Sequence, residues 1–332
     1  MNFQSEKRLV LDYYESLQDA KIVNVPSVML EFCSSNLIWR GFHPFNVIRG
    51  AKQVGETFWQ TLFTSLSHCQ RRMDVFLAGH NDIKGNEGTW VVSMGHLMGL
   101  FDKTWLGIQP TQKLVMLRYC EFHKVNNGKI IETAMFFDVP HFMIQAGLKP
   151  FNSQTAAHLV QPGPRTHEGL MYEKQNIEEG RKTKEAIEFM INDLKNWRNY
   201  DHEPLVEELR RSWNEDMIWW GPAGIGATYT IDRYAKQHSG PFREGFNDRK
   251  FNGHVCRIAE GYFGGFFGWP NLTLKPAGFM GLPASNIPGD MRVIDIYRRE
   301  GDKLTENWVF IDLLHFWKMQ DIDILKNATE KS

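Results

Sequence analysis

The sequence has few cysteines, and they are widely separated. Its 332 residues include only four, Cys33, Cys69, Cys120 and Cys256, with no CxxC pair among them. This spacing argues against a zinc site or a disulfide framework and favours a reducing compartment. We therefore predict a cytoplasmic protein with no metal site.

The sequence also lacks an excess of charge of either sign and lacks long apolar runs. Lys plus Arg number 38 and Asp plus Glu number 39, for a formal net charge of −1. A balanced chain has no bulk field to draw it onto a phosphate backbone or an anionic membrane. No run of about 18 apolar residues is present, and the first residues are charged where a signal peptide would be apolar. We expect neither a nucleic-acid nor a membrane partner.

Sequence motifs for common cofactors and nucleophiles are missing as well. The chain has no phosphate-binding P-loop, no GxGxxG between a strand and a helix, no GxSxG and no HExxH. We therefore expect no cofactor.

The sequence is rich in aromatic residues and contains an internal repeat. Aromatics make up 13% of the chain, with 11 Trp and 23 Phe. Six identities recur at one gap-free offset of 174 residues, which indicates a duplicated fold. They pair Gly107 with Gly281, Lys129 with Lys303, Glu132 with Glu306, Asp138 with Asp312, His141 with His315 and Phe142 with Phe316.

Earlier in each half the offset changes to 180, which indicates an insertion or deletion. There, residues 37–41 read LIWRG and residues 217–221 read MIWWG. A stretch of weak periodicity with a Pro-Gly-Pro turn separates the halves. We predict a first domain over 1–150, a linker over 151–182 and a second domain over 183–332.

Each half predicts helices first and a meander of strands afterwards. In the first half, apolar residues recur at helical spacing over Glu6–Leu17, and Asn127-Gly128 marks a tight hairpin. This order predicts an α+β fold with helices packed on a curved antiparallel sheet. Further predicted elements are a strand at Leu37–Arg40, a helix at Lys52–Leu66, strands at Met73–Gly79, Thr89–Leu100, Leu114–Val125 and Lys129–Phe137, and helices at Pro140–Ala146, Lys184–Trp197 and His202–Trp213.

Short motifs in both halves resemble those of the SnoaL-like polyketide cyclases, a family of the NTF2-like cone fold. They are WRGFH at 39–43, GHLMG at 95–99, WLGIQPT at 105–111, GKIIE at 128–132 with Asp138 and QAG at 145–147, and in the second half MIWWG at 217–221 and KLTENW at 303–308 with Asp312. The resemblance implies two tandem NTF2-like cone domains. It also implies an intramolecular pseudo-dimer, and leaves further homo-oligomerisation open.

The resemblance further implies an aspartate that acts as general acid/base in an apolar pocket and closes a polyketide ring by aldol condensation. Asp138 and Asp312 stand where the family motif places this residue. Burial among apolar groups would supply the raised pKa that such a role requires. Each aspartate also precedes a short helix and is equally well placed to cap it, a role that lowers the pKa.

Hairpin geometry suggests which side chains share a face with these aspartates. A two-residue turn at Asn127-Gly128 places His123 opposite Glu132. One face of the first hairpin then holds Glu121, His123, Glu132 and Asp138, and that of the second holds Asp295, Tyr297, Glu306, Trp308 and Asp312. Such a polar face lines a cavity or meets solvent, and a slip of one residue would reverse every assignment.

Two more histidines complete the candidate site of the first half. His43 follows the first strand, and His96 stands in a glycine-flanked strand, where either is a proton shuttle or a structural histidine. The second half lacks both, so we expect the first half to hold the polar site and the second an apolar pocket or aromatic core. The predicted catalytic residues are Asp138, His123, His96 and His43, and the predicted ligand-binding residues are Trp39, Glu121, Trp219, Asp295, Tyr297, Trp308 and Asp312.

These observations lead to two functional hypotheses. The first is a cofactor-independent cyclase, isomerase or lyase that acts on a hydrophobic, carbonyl-bearing, polyketide-like small molecule. The second is a non-catalytic, pseudo-dimeric NTF2-like protein that binds a small ligand.

Overall fold

A computed structural model describes residues 2–157, 162–195 and 203–330. The chain forms two compact units of mixed helices and strands. Unit 1 comprises Met1–Pro150, Thr166–Lys174 and Asp323–Ser332, and unit 2 comprises Phe151–Arg165 and Gln175–Ile322. Segments of the predicted linker thus belong to both units, and the C-terminal segment belongs to unit 1.

The helices of unit 1 bury one apolar face. In α1, Val10, Tyr13, Tyr14 and Leu17 recur at helical spacing and are buried, which confirms the helix predicted over 6–17. The helical segments of unit 1 are α1 (Gln4–Asp19), a 3₁₀ turn (Ile22–Asn24), α2 (Val25–Phe32), α3 (Ala51–Val54), a π-helical segment (Gly55–Trp59), α4 (Gln60–Ser65), α5 (Val139–Gln145) and α11 (Ile324–Thr329).

A six-stranded sheet completes unit 1. Its order is β2-β1-β6-β5-β4-β3. All neighbours are antiparallel except β1 and β6, which are parallel, so the sheet is antiparallel as predicted apart from this one pair. Its strands are β1 (Cys33–Gly41), β2 (Val47–Arg49), β3 (Leu66–Asn81), β4 (Gly88–Phe101), β5 (Lys113–Asn126) and β6 (Lys129–Phe137).

Unit 2 repeats this plan. Its π-helical segment lies 180 residues after that of unit 1, at the offset of the Trp-x-Gly motifs. The helical segments are α6 (Ile177–Lys195), α7 (Leu205–Arg210), α8 (Thr230–Tyr234), a π-helical segment (Ala235–Ser239), α9 (Gly240–Glu244), a 3₁₀ turn (Phe279–Gly281) and α10 (Leu313–Lys318). The helix predicted over 202–213 is therefore shorter than expected, and His202 lies outside the described residues.

The sheet of unit 2 has the order β10-β11-β12-β13-β7-β8, with β9 paired to β11. The parallel pair recurs here between β7 and β13. The strands are β7 (Trp213–Trp220), β8 (Ala227–Tyr229), β9 (Phe246–Phe251), β10 (Cys256–Glu260), β11 (Phe263–Pro276), β12 (Gly289–Glu300) and β13 (Lys303–Ile311).

A bulge at the same place in both hairpins overturns the predicted register. The Asn127-Gly128 turn is present, but the pairing shifts between Lys124 and Val125, so that His123 lies opposite Thr133 rather than Glu132. The second hairpin shifts between Arg298 and Arg299. An extra residue on one strand moves everything beyond it to the other face.

The predicted faces are therefore wrong in part. Glu121 and His123 do share a face, as do Asp295 and Tyr297, because residues two apart in a strand point the same way. Glu132 instead pairs with Lys124, and Glu306 with Arg298, on the opposite faces.

In each unit a tryptophan folds back over a glycine two residues later. A Cβ on Gly41 would lie 2.1 Å from the Trp39 ring, and one on Gly221 would lie 1.9 Å from the Trp219 ring. Only glycine leaves room for the indole there. The Trp-x-Gly motif thus fixes where each indole enters the interior of its unit.

Within the described residues, no helix is both long enough and apolar enough to cross a membrane.

Candidate functional site

Unit 2 contains a cavity of about 150 Å³ between its helices and its sheet. Its lining comes from strands β7, β9, β11, β12 and β13 and from helices α6, α8 and α9 with the π-helical segment between α8 and α9. The apolar lining includes Trp213, Trp219, Phe266, Met291, Val309 and Ile311. The polar lining includes Tyr234, His238, Asn271, Asp295, Tyr297 and Asn307.

Asp295 is the ionisable carboxyl group of this cavity. It lies on β12 and is buried, and the Asn307 side-chain amide donates a hydrogen bond of 3.2 Å to its Oδ1. Burial raises the pKa of Asp295 to about 7, against the opposing effect of hydrogen bonds with Asn307 and Tyr297. A carboxyl group in this state exchanges protons near neutral pH.

The other charged groups around the cavity are paired with protein partners. Arg243 binds both carboxylate oxygens of Glu208, at 2.8 and 2.5 Å, and Arg249 donates to the Leu194 carbonyl oxygen at 2.6 Å. Burial also raises the pKa of Tyr234 and of Tyr297 above the ordinary value, so both phenols keep their protons at neutral pH.

His238 lies on the π-helical segment and stacks on Trp219, with ring centroids 3.8 Å apart and planes 19° apart. Desolvation by burial lowers the pKa of His238 to about 3, so the imidazole is neutral at physiological pH. Its Nδ1 is buried and has no hydrogen-bond partner within the described parts of the chain. Buried polar nitrogens normally have a partner.

The equivalent place in unit 1 is filled by an ion pair. Glu121, 174 residues before Asp295, lies 2.5 Å from the Arg71 guanidinium. That guanidinium lies over the Tyr14 ring, 3.8 Å from its centroid, and over the Tyr119 ring at 4.5 Å. The small cavity beside it measures only about 10 Å³.

The Arg71 guanidinium also decides the charge of Glu121. Burial alone would raise the pKa of Glu121, but Arg71 and then His123 outweigh it and lower the pKa to about 2. His123 is fixed in turn by Tyr14 at Nε2 (2.8 Å) and by Thr133 at Nδ1 (2.9 Å). The predicted pair Glu121 and His123 therefore lies together, within a filled and hydrogen-bonded interior.

Asp138 and Asp312 both occupy helix N-caps. The Asp138 carboxylate accepts a hydrogen bond from the His141 backbone N–H at 3.0 Å and lies 3.8 Å from Arg118. The Asp312 carboxylate accepts from the His315 N–H at 3.2 Å and lies 3.3 Å from Arg292. Neither residue lines the unit 2 cavity. This geometry favours the capping alternative for both.

The remaining predicted residues are dispersed. His96 lies on β4 opposite Arg118, with its Nδ1 3.4 Å from Asp74. His43 lies in the turn between β1 and β2. Trp39 packs against Phe58 in the core of unit 1. Trp308 donates from its indole N–H to the Pro162 carbonyl oxygen at 3.1 Å.

The structure therefore brings together three of the predicted ligand-binding residues, Trp219, Asp295 and Tyr297, in one cavity. The sequence analysis missed His238 and Asn307. The correct hairpin register would have pointed to Asn307, because it lies directly opposite Tyr297. Alignment of the two Trp-x-Gly motifs at offset 180 would have drawn attention to His238, because it replaces Phe58.

Within the part of the chain that the structure describes, no group of three or more His, Cys, Asp and Glu side chains is placed to hold a metal ion.

No protein-family model matches this chain, and no curated protein sequence matches it. Solved structures similar to it include an NTF2-like protein and proteins assigned as SnoaL-like polyketide cyclases. A protein assigned to the SnoaL-like polyketide cyclases, from Jannaschia sp. CCS1, is 19% identical and covers 43% of this chain and 90% of its own, with a TM-score of 0.33. An NTF2-like protein from Burkholderia thailandensis E264 is 19% identical and covers 42% of this chain and 95% of its own, with a TM-score of 0.32. TsrD from Streptomyces laurentii is 13% identical and covers 44% of this chain and 98% of its own, with a TM-score of 0.35.

Proposed function

We propose that the unit 2 cavity is the active site of a proton-transfer enzyme, a cyclase, isomerase or lyase, that acts on a hydrophobic carbonyl compound. Asp295 is the general acid/base. The observation that carries this proposal is a buried carboxyl group, with its pKa raised to about 7, inside an aromatic-walled cavity. Perturbed acids in clefts are typical of catalytic sites.

Asp295 works in both of its protonation states. As carboxylate it removes a proton from the carbon next to the substrate carbonyl and leaves an enolate. In an isomerisation, the carboxylic acid returns that proton at another carbon of the same molecule, so no atom is gained or lost. In an aldol cyclisation, the enolate carbon instead bonds to a second carbonyl carbon, and the carboxylic acid gives its proton to the alkoxide that forms. In a lyase reaction, the enolate expels a leaving group, and the carboxylic acid gives its proton to that group. A pKa near the working pH makes both steps accessible, and such catalysis contributes about 10²- to 10⁴-fold.

The size of the cavity limits the substrate to about one ring. An engineered protein cavity of about 150 Å³ binds benzene, whereas sites for drug-sized ligands measure about 300–1,000 Å³. The aromatic side chains Trp213, Trp219 and Phe266 suit a flat, apolar ring. We therefore propose a monocyclic carbonyl compound rather than a polycyclic polyketide.

Conversion of cyclohex-3-enone to cyclohex-2-enone tests this proposal, because the reaction moves one proton within a single-ring ketone. We expect the wild-type protein to accelerate it above buffer, and Asp295→Asn to lose at least about 100-fold of the rate. Asp312→Asn is the matched control, since it changes a capping aspartate of the same unit and asparagine is also a good cap.

An Asp295→Asn variant that converts the ketone as fast as wild type would overturn the proposal. Binding of cyclohex-3-enone to wild type without any conversion would favour the non-catalytic, ligand-binding alternative.

A further inference from the structure

We propose that His238 is a second catalytic residue, whose Nδ1–H donates a hydrogen bond to the carbonyl oxygen of the substrate. This inference rests on the proposed function, because it places the carbonyl group of the same substrate in the same cavity.

The first support is the position of His238. It lines the cavity that Asp295 lines, and 8% of it is exposed. Its Nδ1 has no protein partner within the described ranges, so the imidazole has a hydrogen-bonding nitrogen left for a ligand. An unsatisfied buried polar group costs about 1–3 kcal/mol.

The second support is the comparison with unit 1. The π-helical segments Gly55–Trp59 and Ala235–Ser239 match at offset 180, which places Phe58 at the position of His238. Phe58 packs against Trp39, with ring centroids 5.0 Å apart and planes 38° apart, in the place where His238 stacks on Trp219. A phenyl ring is therefore sufficient for packing at this position, and packing alone does not explain the imidazole nitrogens.

The third support is chemical. When Asp295 removes the proton next to the carbonyl, negative charge develops on the carbonyl oxygen. A fixed hydrogen-bond donor in a dry site stabilises that charge more than water does. A neutral imidazole serves in this role because it donates a hydrogen bond without giving up its proton. Burial keeps His238 neutral by lowering its pKa to about 3.

The test compares phenol and toluene, two single-ring compounds of similar shape, of which only phenol has an oxygen. Dissociation constants are measured by calorimetry for wild type and for His238→Phe, which keeps a ring on Trp219 as in unit 1. His254→Phe is the matched control. His254 also stacks on an aromatic ring, Phe266, at 3.8 Å, and burial also lowers its pKa to about 3, but it does not line the cavity.

We expect His238→Phe to weaken phenol binding about 3- to 10-fold, in keeping with the loss of one neutral hydrogen bond, and to leave toluene binding within twofold. We also expect it to lower kcat for cyclohex-3-enone by about 10- to 100-fold. His254→Phe should change none of these values.

Equal losses for phenol and toluene, or no loss for either, would overturn the inference and leave the role of Asp295 intact. If wild type binds neither compound and does not convert cyclohex-3-enone, the proposed function and this inference both fail.

Discussion

Asp295 and Glu121 occupy the same position of the repeat, yet their surroundings favour opposite charge states. Both are buried, Glu121 on β5 and Asp295 on β12, which are the first strands of the two hairpins. Glu121 has the Arg71 guanidinium beside it, whereas Asp295 has the amide of Asn307 and the phenol of Tyr297. The neighbour therefore decides whether the buried acid is a structural anion or a proton carrier.

The raised pKa of Asp295 predicts a specific pH dependence of stability. Its pKa is about 7 in the folded state and about 3.9 in the unfolded state. Between these values the folded state holds the proton more tightly, so the free energy of unfolding falls as pH rises from about 4 to 7. Asp295→Asn removes this titration, so its stability does not fall with it. We therefore expect the free energy of unfolding of the variant to rise by about 2–4 kcal/mol relative to that of wild type between pH 4 and pH 8. Urea unfolding measures both.

Asp312→Asn is the control for that experiment, because the Asp312 carboxylate caps a helix instead of facing the cavity. It should show no such gain. A difference between Asp295→Asn and wild type that stays constant from pH 4 to pH 8 would contradict the assigned state of Asp295.

The ion pair of unit 1 predicts a large loss when one partner is removed. Arg71→Met leaves the buried Glu121 carboxylate without its cation, which costs about 3–5 kcal/mol of unfolding free energy. The double variant Arg71→Met, Glu121→Gln carries no unpaired charge at this position. It should therefore recover a large part of the unfolding free energy that Arg71→Met loses. Chemical denaturation of the two variants checks this, and equal stability of the two would refute the structural role of the pair.

At the scale of elements, the Trp-x-Gly motifs determine how each first strand meets its helices. The space above Gly221 is occupied by the Trp219 indole, which in turn carries His238. A methyl group on Gly221 would push the indole toward the cavity. The same clash in unit 1, above Gly41, involves only core residues.

We therefore expect Gly221→Ala and Gly41→Ala to destabilise the protein to a similar degree, about 1–3 kcal/mol. Only Gly221→Ala should weaken toluene binding, by about tenfold or more. Thermal unfolding and calorimetry at a temperature where both variants are folded make the comparison. Loss of toluene binding in Gly41→Ala would contradict the claim that the contact between Trp219 and Gly221 positions the wall of the toluene-binding cavity.

The elements themselves were largely predictable from the sequence, and the site was predictable only in part. Helical spacing in α1 and the Asn127-Gly128 turn are local signals, and the structure has both. The bulge between Lys124 and Val125 has no such signal, because it depends on how two strands pair. The one-residue shift at this bulge places Glu132 on the opposite face of the sheet from Glu121 and His123. The charge state of Asp295 could not be predicted either, because it depends on which side chains of other strands, such as that of Asn307, lie beside the carboxyl group.

At the scale of the whole molecule, the two units share one fold but differ in the side chains that fill their interiors. In unit 1 the Arg71–Glu121 pair leaves a cavity of only about 10 Å³ beside it, whereas the cavity at Asp295 in unit 2 measures about 150 Å³. Unit 1 also has a separate pocket of about 580 Å³, lined by residues that include Glu6, Lys124 and Asn127. The sequence predicted the polar site in the first half because His43 and His96 lie there. The site we propose lies in the second half instead, because Asp295 stands there in a cavity with room for a single ring.

This difference predicts that a small apolar ligand binds at the Asp295 cavity of unit 2 and not beside Arg71 in unit 1. Toluene should slow amide hydrogen exchange in β12 and in the π-helical segment Ala235–Ser239. It should leave exchange around Glu121 in β5 and in Gly55–Trp59 unchanged, because the cavity of about 10 Å³ beside Arg71 is too small for a ring. Mass spectrometry with and without toluene measures both regions. Protection confined to unit 1 would contradict the assignment of the ligand cavity.

The most direct measurement is the pKa of the Asp295 carboxyl group itself. Carbon-13 labelling of the aspartates, with the Asp295 signal assigned by its loss in Asp295→Asn, allows the carboxyl resonance to be followed from pH 3 to pH 9. The account predicts a midpoint near 7. A midpoint below about 5 would show a carboxylate that is fully ionised at neutral pH, and the assignment of Asp295 as the proton-transfer group would then be wrong.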